Sequence, residues 1–182
     1  MKYTKEYRAR LLDPEAWRQT GRQLLKAAAL LEPKIDEFWQ HLRAQPKIQS
    51  SWRPWNDEFV AIYFMLCAYA IENLLKAKIV QKKKDKICGQ IEAKPTLPKV
   101  LKEHDLYRLT IAAGFLELAK EEEILLHCLS RCSLWYGRYP VPLTPAGLQT
   151  GYPSENYDFD ISLTAYTSND RRDIQRIVEQ LN

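Results

Sequence analysis

Phe59-Val60-Ala61-Ile62-Tyr63-Phe64-Met65-Leu66-Cys67-Ala68-Tyr69-Ala70-Ile71 runs for thirteen residues without a charge. A bilayer needs about 20 apolar residues in a helix, so this run is too short to span one. It is apolar on nearly every side, which suits a helix buried on several faces in a protein core. Asn56-Asp57-Glu58 gives it a start, and a polar, basic continuation carries the expected helix to about Ile87. A helix of that kind must be wrapped by others, so the chain reads as an all-α bundle.

The flanking segments carry helix signals too. Asp13-Pro14-Glu15 is an N-cap with a proline in the first turn and an acid behind it. Trp17, Leu24, Leu25, Ala28 and Leu31 come next at helical spacing, ending before Pro33. Ile35, Phe38, Trp39 and Leu42 share one face of a second short helix. A loop from Pro46 to Pro54 comes after it, with Trp52 and Trp55 near its end. Beyond the main helix, Gly89 and Pro95 are expected to break the chain. A helix is expected from about Pro98 to Ala113, bent at His104-Asp105 and stopped by Gly114. Another spans about Glu121 to Tyr136, with Ile124, Leu125, Leu129, Leu134 and Trp135 facing inward. Residues 139–160 are proline- and tyrosine-rich without periodicity, which suits a long ordered loop. Phe159 to Thr164 could form a short strand but lacks a partner. Ser168-Asn169-Asp170 then caps a last helix to Leu181.

The chain has 182 residues, 46% of them apolar and 27% charged. That composition fits one globular domain, 1–182. With only 6 glycines against 10 prolines, neither a turn-rich all-β fold nor a Gly-rich phosphate loop is expected. The net charge of +4 is mild, but Lys76 to Lys102 holds nine lysines and two acids, a local +7 that leaves −3 for the rest. Such a segment either attracts phosphate or is a solvated helix end. Cys67, Cys88, Cys128 and Cys132 lack the spacing of zinc sites, so they read as reduced thiols with no metal. The opening residues hold no apolar core of signal-peptide length. A cytoplasmic protein with no membrane association and no cofactor is expected.

Three segments carry chemistry. In Tyr69-Ala70-Ile71-Glu72-Asn73-Leu74-Leu75-Lys76-Ala77, Glu72 and Lys76 sit four apart and can pair on one helix face. An acid directly after an apolar run needs such a partner. In Leu97-Pro98 through Lys102-Glu103-His104-Asp105-Leu106 to Leu109, Asp105 can cap a helix restart and leave His104 at the bend. The third is Leu134-Trp135-Tyr136-Gly137-Arg138-Tyr139-Pro140-Val141-Pro142. His127, Arg131, Leu134 and Arg138 would fall on one stripe of a continuous α-helix.

Taken in order, Tyr69 to Ala77, His104 to Leu109 and Arg138 to Pro140 resemble the motifs of the HEPN family (higher eukaryotes and prokaryotes nucleotide-binding). The resemblance covers about residues 56–142. It implies an up-and-down helical bundle for that core. Outside the resemblance lie the N-terminal extra helices expected in 1–55 and an irregular tail, 143–182, expected to end in a helix that packs on the core. Many members are metal-independent ribonucleases of toxin–antitoxin or phage-defence systems. They carry an Arg followed four to six residues later by a His, working at a dimer interface. Here no His comes after Arg131 or Arg138. Other members bind or assemble with partners without cleaving RNA.

The leading expectation is therefore a homodimeric binding or assembly module for a nucleotide, RNA or a protein encoded nearby. Its candidate binding residues are Arg138, Tyr139, Arg131, Glu72, Lys76 and His104. A divergent ribonuclease using His127 as base with Arg131 and Arg138 is the alternative. A ligand-free structural dimer, with Arg131 or Arg138 paired to Glu72, is the third. Trp52, Trp55 and Tyr139 offer aromatic area for a dimer contact.

Overall fold

The computed structural model describes residues 2–44, 59–94, 96–115, 118–136 and 169–182. Among these the regular structure is entirely helical, as expected. The expected loop with Trp52 and Trp55, the strand at Phe159 to Thr164, and Arg138 and Tyr139 all lie outside the described residues.

Helix α1 spans Lys2–Leu11 and α2 spans Pro14–Ala29. No strong apolar stripe announces α1, so its helix is a finding of the structure alone. Asp13 caps α2 as expected: its Oδ1 accepts from the Glu15 N–H at 3.0 Å. Trp17 Nε1 donates to the Leu11 carbonyl at 3.0 Å and seals the corner between the two helices. Helix α3, Glu32–Ala44, takes Pro33 into its first turn, where a missing N–H costs nothing.

Helix α4, Val60–Lys82, is the axis of the bundle. Its 23 residues make it about 34 Å long. It is apolar and long enough to pass for a membrane span by composition, but 67% of its most apolar window is buried inside the protein. Phe64, Cys67, Ala68, Ile71, Leu74, Leu75, Ile79 and Val80 are all buried there. The α2 helix lies along it at close range. A Cβ on Gly21 would sit 3.0 Å from the Ala70 carbonyl oxygen and 3.1 Å from Leu74 Cγ. Only glycine lets the two backbones meet at that distance.

The main helix does not run to Ile87. At Lys83 the backbone leaves the helical region (φ −120°, ψ 25°), and α5, Lys84–Ala93, begins in a new direction. The break turns Ile87 and Ile91, four residues apart, into the core. Gly89 does not interrupt the chain; it lies inside α5, where a Cβ would meet nothing within 4 Å. A single turn of 3₁₀-helix, Lys99–Lys102, then stands where the first part of the next helix was expected. Residues 103–105 are extended, and Asp105 restarts the helix by accepting from the Arg108 N–H at 3.0 Å. The resulting α6, Leu106–Ala113, stops at Gly114 in the left-handed region (φ 79°). Lys82 Nζ donates to the Ala113 carbonyl at 2.7 Å, placing a cation at the negative end of α6.

Helix α7, Lys120–Arg131, is capped by Glu122, whose carboxylate accepts from the Ala119 N–H at 2.9 Å. It changes to a π-helical turn at Cys132–Tyr136 instead of continuing as an α-helix. Leu125 and Leu129 face inward as expected, Ile124 is half-buried, and Leu134 is exposed. The Trp135 side chain lies outside the described residues. Helix α8, Asp170–Leu181, buries Ile174, Ile177 and Leu181 against the bundle. Arg171 ties it to Glu32 and Asp36 of α3, and Arg176 ties it to Glu122 of α7 at 3.1 Å. Asn169 stands at the expected cap position, but its side chain makes no capping hydrogen bond to the helix.

This packing has two measurable consequences. Gly21→Ala is expected to lower unfolding stability by about 1–3 kcal/mol, the usual cost of overpacking, measured by urea titration. Burial pushes the Cys67 and Cys128 thiols up to about 12. Their protons stay bound in the folded chain, whereas an unfolded cysteine ionises near about 8.5. The stabilisation is therefore complete below that pH and is lost as pH rises toward 12. At pH 8 a disulfide reagent should label half-buried Cys88 first. Cys67, Cys128 and Cys132 should react only on unfolding.

Candidate functional site

Glu72 and Lys76 are one helical turn apart on α4, so their side chains stack on the same face. Lys76 Nζ donates to Glu72 Oε1 at 2.6 Å, and the side chains are only 4% and 8% exposed. Removing two ions from water costs several kcal/mol each, and a single contact recovers only part of it. The rest comes from across the bundle. His104 Nδ1 lies 3.1 Å from both carboxylate oxygens of Glu72. The Lys76 ammonium also sits 6.0 Å from the centre of the Trp17 ring on α2, within cation–π range.

The local sequence explains why His104 can reach. The 3₁₀ turn ends at Lys102, and the extended residues before α6 swing the chain back over α4. Asp105 is occupied in capping α6. Glu103 accepts from the N–H groups of His104 and Asp105 at 3.0 and 3.1 Å. These hydrogen bonds, that from Asp105 foremost, hold the Glu103 carboxyl below its ordinary range. The His104 ring is then directed inward at its Nδ1 edge. An ionised carboxylate only accepts, so this network places a proton on Nδ1. The ring is 54% exposed, so the cluster is buried at its base and open at its tip.

The first two motifs thus meet. The third is linked to them through backbone: Tyr69 OH donates to the Ser133 carbonyl in the π-turn at 2.9 Å. Ser130 Oγ accepts from the Leu106 N–H at 2.9 Å and donates to the Leu126 carbonyl at 2.7 Å. Neither contact was legible in the sequence, because serine and tyrosine at these positions look like ordinary surface or core residues. Of the arginines expected to pair with Glu72, Arg138 lies outside the described residues. The partners that the carboxylate is seen to meet are Lys76 and His104.

The stripe expected of a ribonuclease requires an α-helix through Arg138, which lies outside the described residues. Among those described, the α-helical register ends at Arg131, and a π-turn with its wider i to i+5 ring carries Cys132–Tyr136. His127 lies against the Tyr107 ring, centroids 4.9 Å apart and planes inclined by 38°. Arg131 is half-buried, close enough for its charge to act on the Cys128 thiol. His41 is in the last turn of α3 and exposed. Among the described residues no group of three His, Cys, Asp or Glu side chains is arranged to hold a metal.

Chemically, the cluster can hold an imidazole in one orientation at the surface. It is poorly suited to abstract protons through Glu72, whose charge is already matched by an ammonium at 2.6 Å. Glu72→Gln and Lys76→Met are each expected to cost about 3–5 kcal/mol, because each leaves one buried ion uncompensated. The double variant Glu72→Leu/Lys76→Met should recover most of that loss. Chemical denaturation of the three variants measures both values.

The chain matches no known family model, no curated protein and no solved structure.

Proposed function

We propose that the chain is a HEPN-like, homodimeric binding or assembly module whose cargo is a nucleotide, RNA or a protein encoded nearby. A toxin–antitoxin or phage-defence system is the setting that fits the resemblance. The observation that carries this reading is the Glu72–Lys76–His104 cluster. It joins the acid of one motif to the histidine of another, 32 residues apart, at 3.1 Å. Its charges are matched internally, and its exposed end offers a fixed hydrogen-bonding nitrogen. That is the character of a recognition or supporting element more than of a proton relay.

The lack of an Arg-to-His spacing in the sequence supports the same reading. A positioned histidine contributes about 10²–10⁴-fold to such chemistry. Arginine cannot replace it as a base, since it stays protonated. Arg138 and Tyr139 remain the proposed ligand contacts on the strength of the sequence, with Arg131 as a third.

Purified protein should leave a fluorescent single-stranded RNA intact in EDTA, and so should His127→Ala and Arg138→Ala. RNA or nucleotide binding should be lost in Arg138→Ala. Cleavage by the wild type that both substitutions abolish would replace this reading with a divergent ribonuclease. Light scattering is expected to give a mass about twice 21.3 kDa. A monomer mass would remove the homodimer from the proposal.

A further inference from the structure

The fold divides the lysine-rich segment into two groups. Lys76, Lys78 and Lys82 are engaged internally: on Glu72, over the Phe115 ring at 5.9 Å, and on the Ala113 carbonyl. Lys83, Lys86 and Lys99 are exposed, and no carboxylate of the described residues pairs with their ammonium groups. These three line a groove of about 390 Å³ between α5, the 3₁₀ turn and α6. Arg108 and Gln90 complete its polar rim.

One carboxylate, Glu103, stands at that rim. It is held by the backbone N–H groups of His104 and Asp105, which keeps it from turning to the lysines. Its contact with Arg108 is long, 3.9 Å, and the Arg108 side chain is 72% exposed. The floor is closed by Ile87 and Leu109, at 1% and 0% exposure. Half-buried Val100 and Ala112 line it as well, so its exposed lining is more apolar than polar. Among the described residues it has no aromatic wall on which a base could stack. Around a concave surface it sets four cations, an amide and the Glu103 carboxylate.

From this we infer that the groove lined by Lys83, Lys86, Lys99 and Arg108 is a phosphate-binding site, taking an oligophosphate or a phosphodiester chain through charge and hydrogen bonds. Its volume lies within the range of small-molecule sites. Arg108 supplies a planar fork and the lysines supply mobile point charges. Recognition rests on phosphate and is indifferent to the base. That the phosphates belong to a nucleotide or RNA rests on the binding-module reading.

The test uses the whole chain with three probes: inorganic triphosphate, ATP and a fluorescent oligouridylate. Lys83→Glu/Lys86→Glu removes the groove's charge; Glu at the start of α5 suits the helix dipole, so folding should persist, as circular dichroism can check. Lys5→Glu/Lys26→Glu makes the same change in net charge on exposed positions of α1 and α2. The groove pair should weaken oligouridylate binding about tenfold and reduce its salt slope by about 1.4, two contacts of roughly 0.7 each. The control pair should change affinity less than about twofold, the response expected of a distant screened charge. Equal loss from both pairs, or RNA binding untouched by the groove pair, overturns the groove and leaves the binding-module reading intact. Triphosphate held through the groove while ATP and RNA are refused overturns the nucleotide reading and keeps the groove. Refusal of all three probes overturns both.

Discussion

The carboxylate of Glu72 is the constraint around which the rest is arranged. It is placed in the middle of the most apolar helix of the chain, where an unpaired charge would not be tolerated. Lys76 answers it from the same helix and His104 from across the bundle. Lys76 in turn needs shelter, which Trp17 provides from α2. One buried charge therefore sets the relation between α2, α4 and the approach to α6.

That arrangement is stiffened at the helix ends. The same α4 that holds Glu72 sends Lys82 to the terminus of α6, and Gly114 adopts the left-handed turn that lets the chain leave there. A Cβ at Gly114 would come 2.9 Å from Lys82 Nζ, so the turn and the cap depend on each other. Ser130 fastens the start of α6 to α7, and Tyr69 fastens α4 to the turn after α7. Each of these bonds satisfies a group that would otherwise be buried without a partner.

Rigidity of this kind bears on function. The two histidines nearest the motifs are both engaged, His104 with Glu72 and His127 with Tyr107. The lysine ammonium groups exposed at the α5–α6 groove are held on short elements with fixed ends, which suits the phosphate site proposed there.

The local signals were legible because they act within a few residues. Asp13 and Asp105 announce the starts of α2 and α6, Gly114 announces a stop, and the run from Phe59 to Ile71 announces a core helix. The spacing of Glu72 and Lys76 likewise contains their pairing. The break at Lys83 was not legible, since lysines 82 to 84 are good helix formers and only the core's demand for Ile87 and Ile91 turns the chain there. The approach of His104 to Glu72 and the π-turn after Arg131 were also hidden. The first depends on how a 3₁₀ turn aims the chain, and the second accompanies the Tyr69 contact from α4. By itself the sequence determined that the fold is helical, where most of its helices lie, where several of them are capped, and that one carboxylate among apolar residues needed a cation. Only the tertiary structure decided which histidine would share that carboxylate and which lysines would remain in solvent, because both depend on distances between residues far apart along the chain.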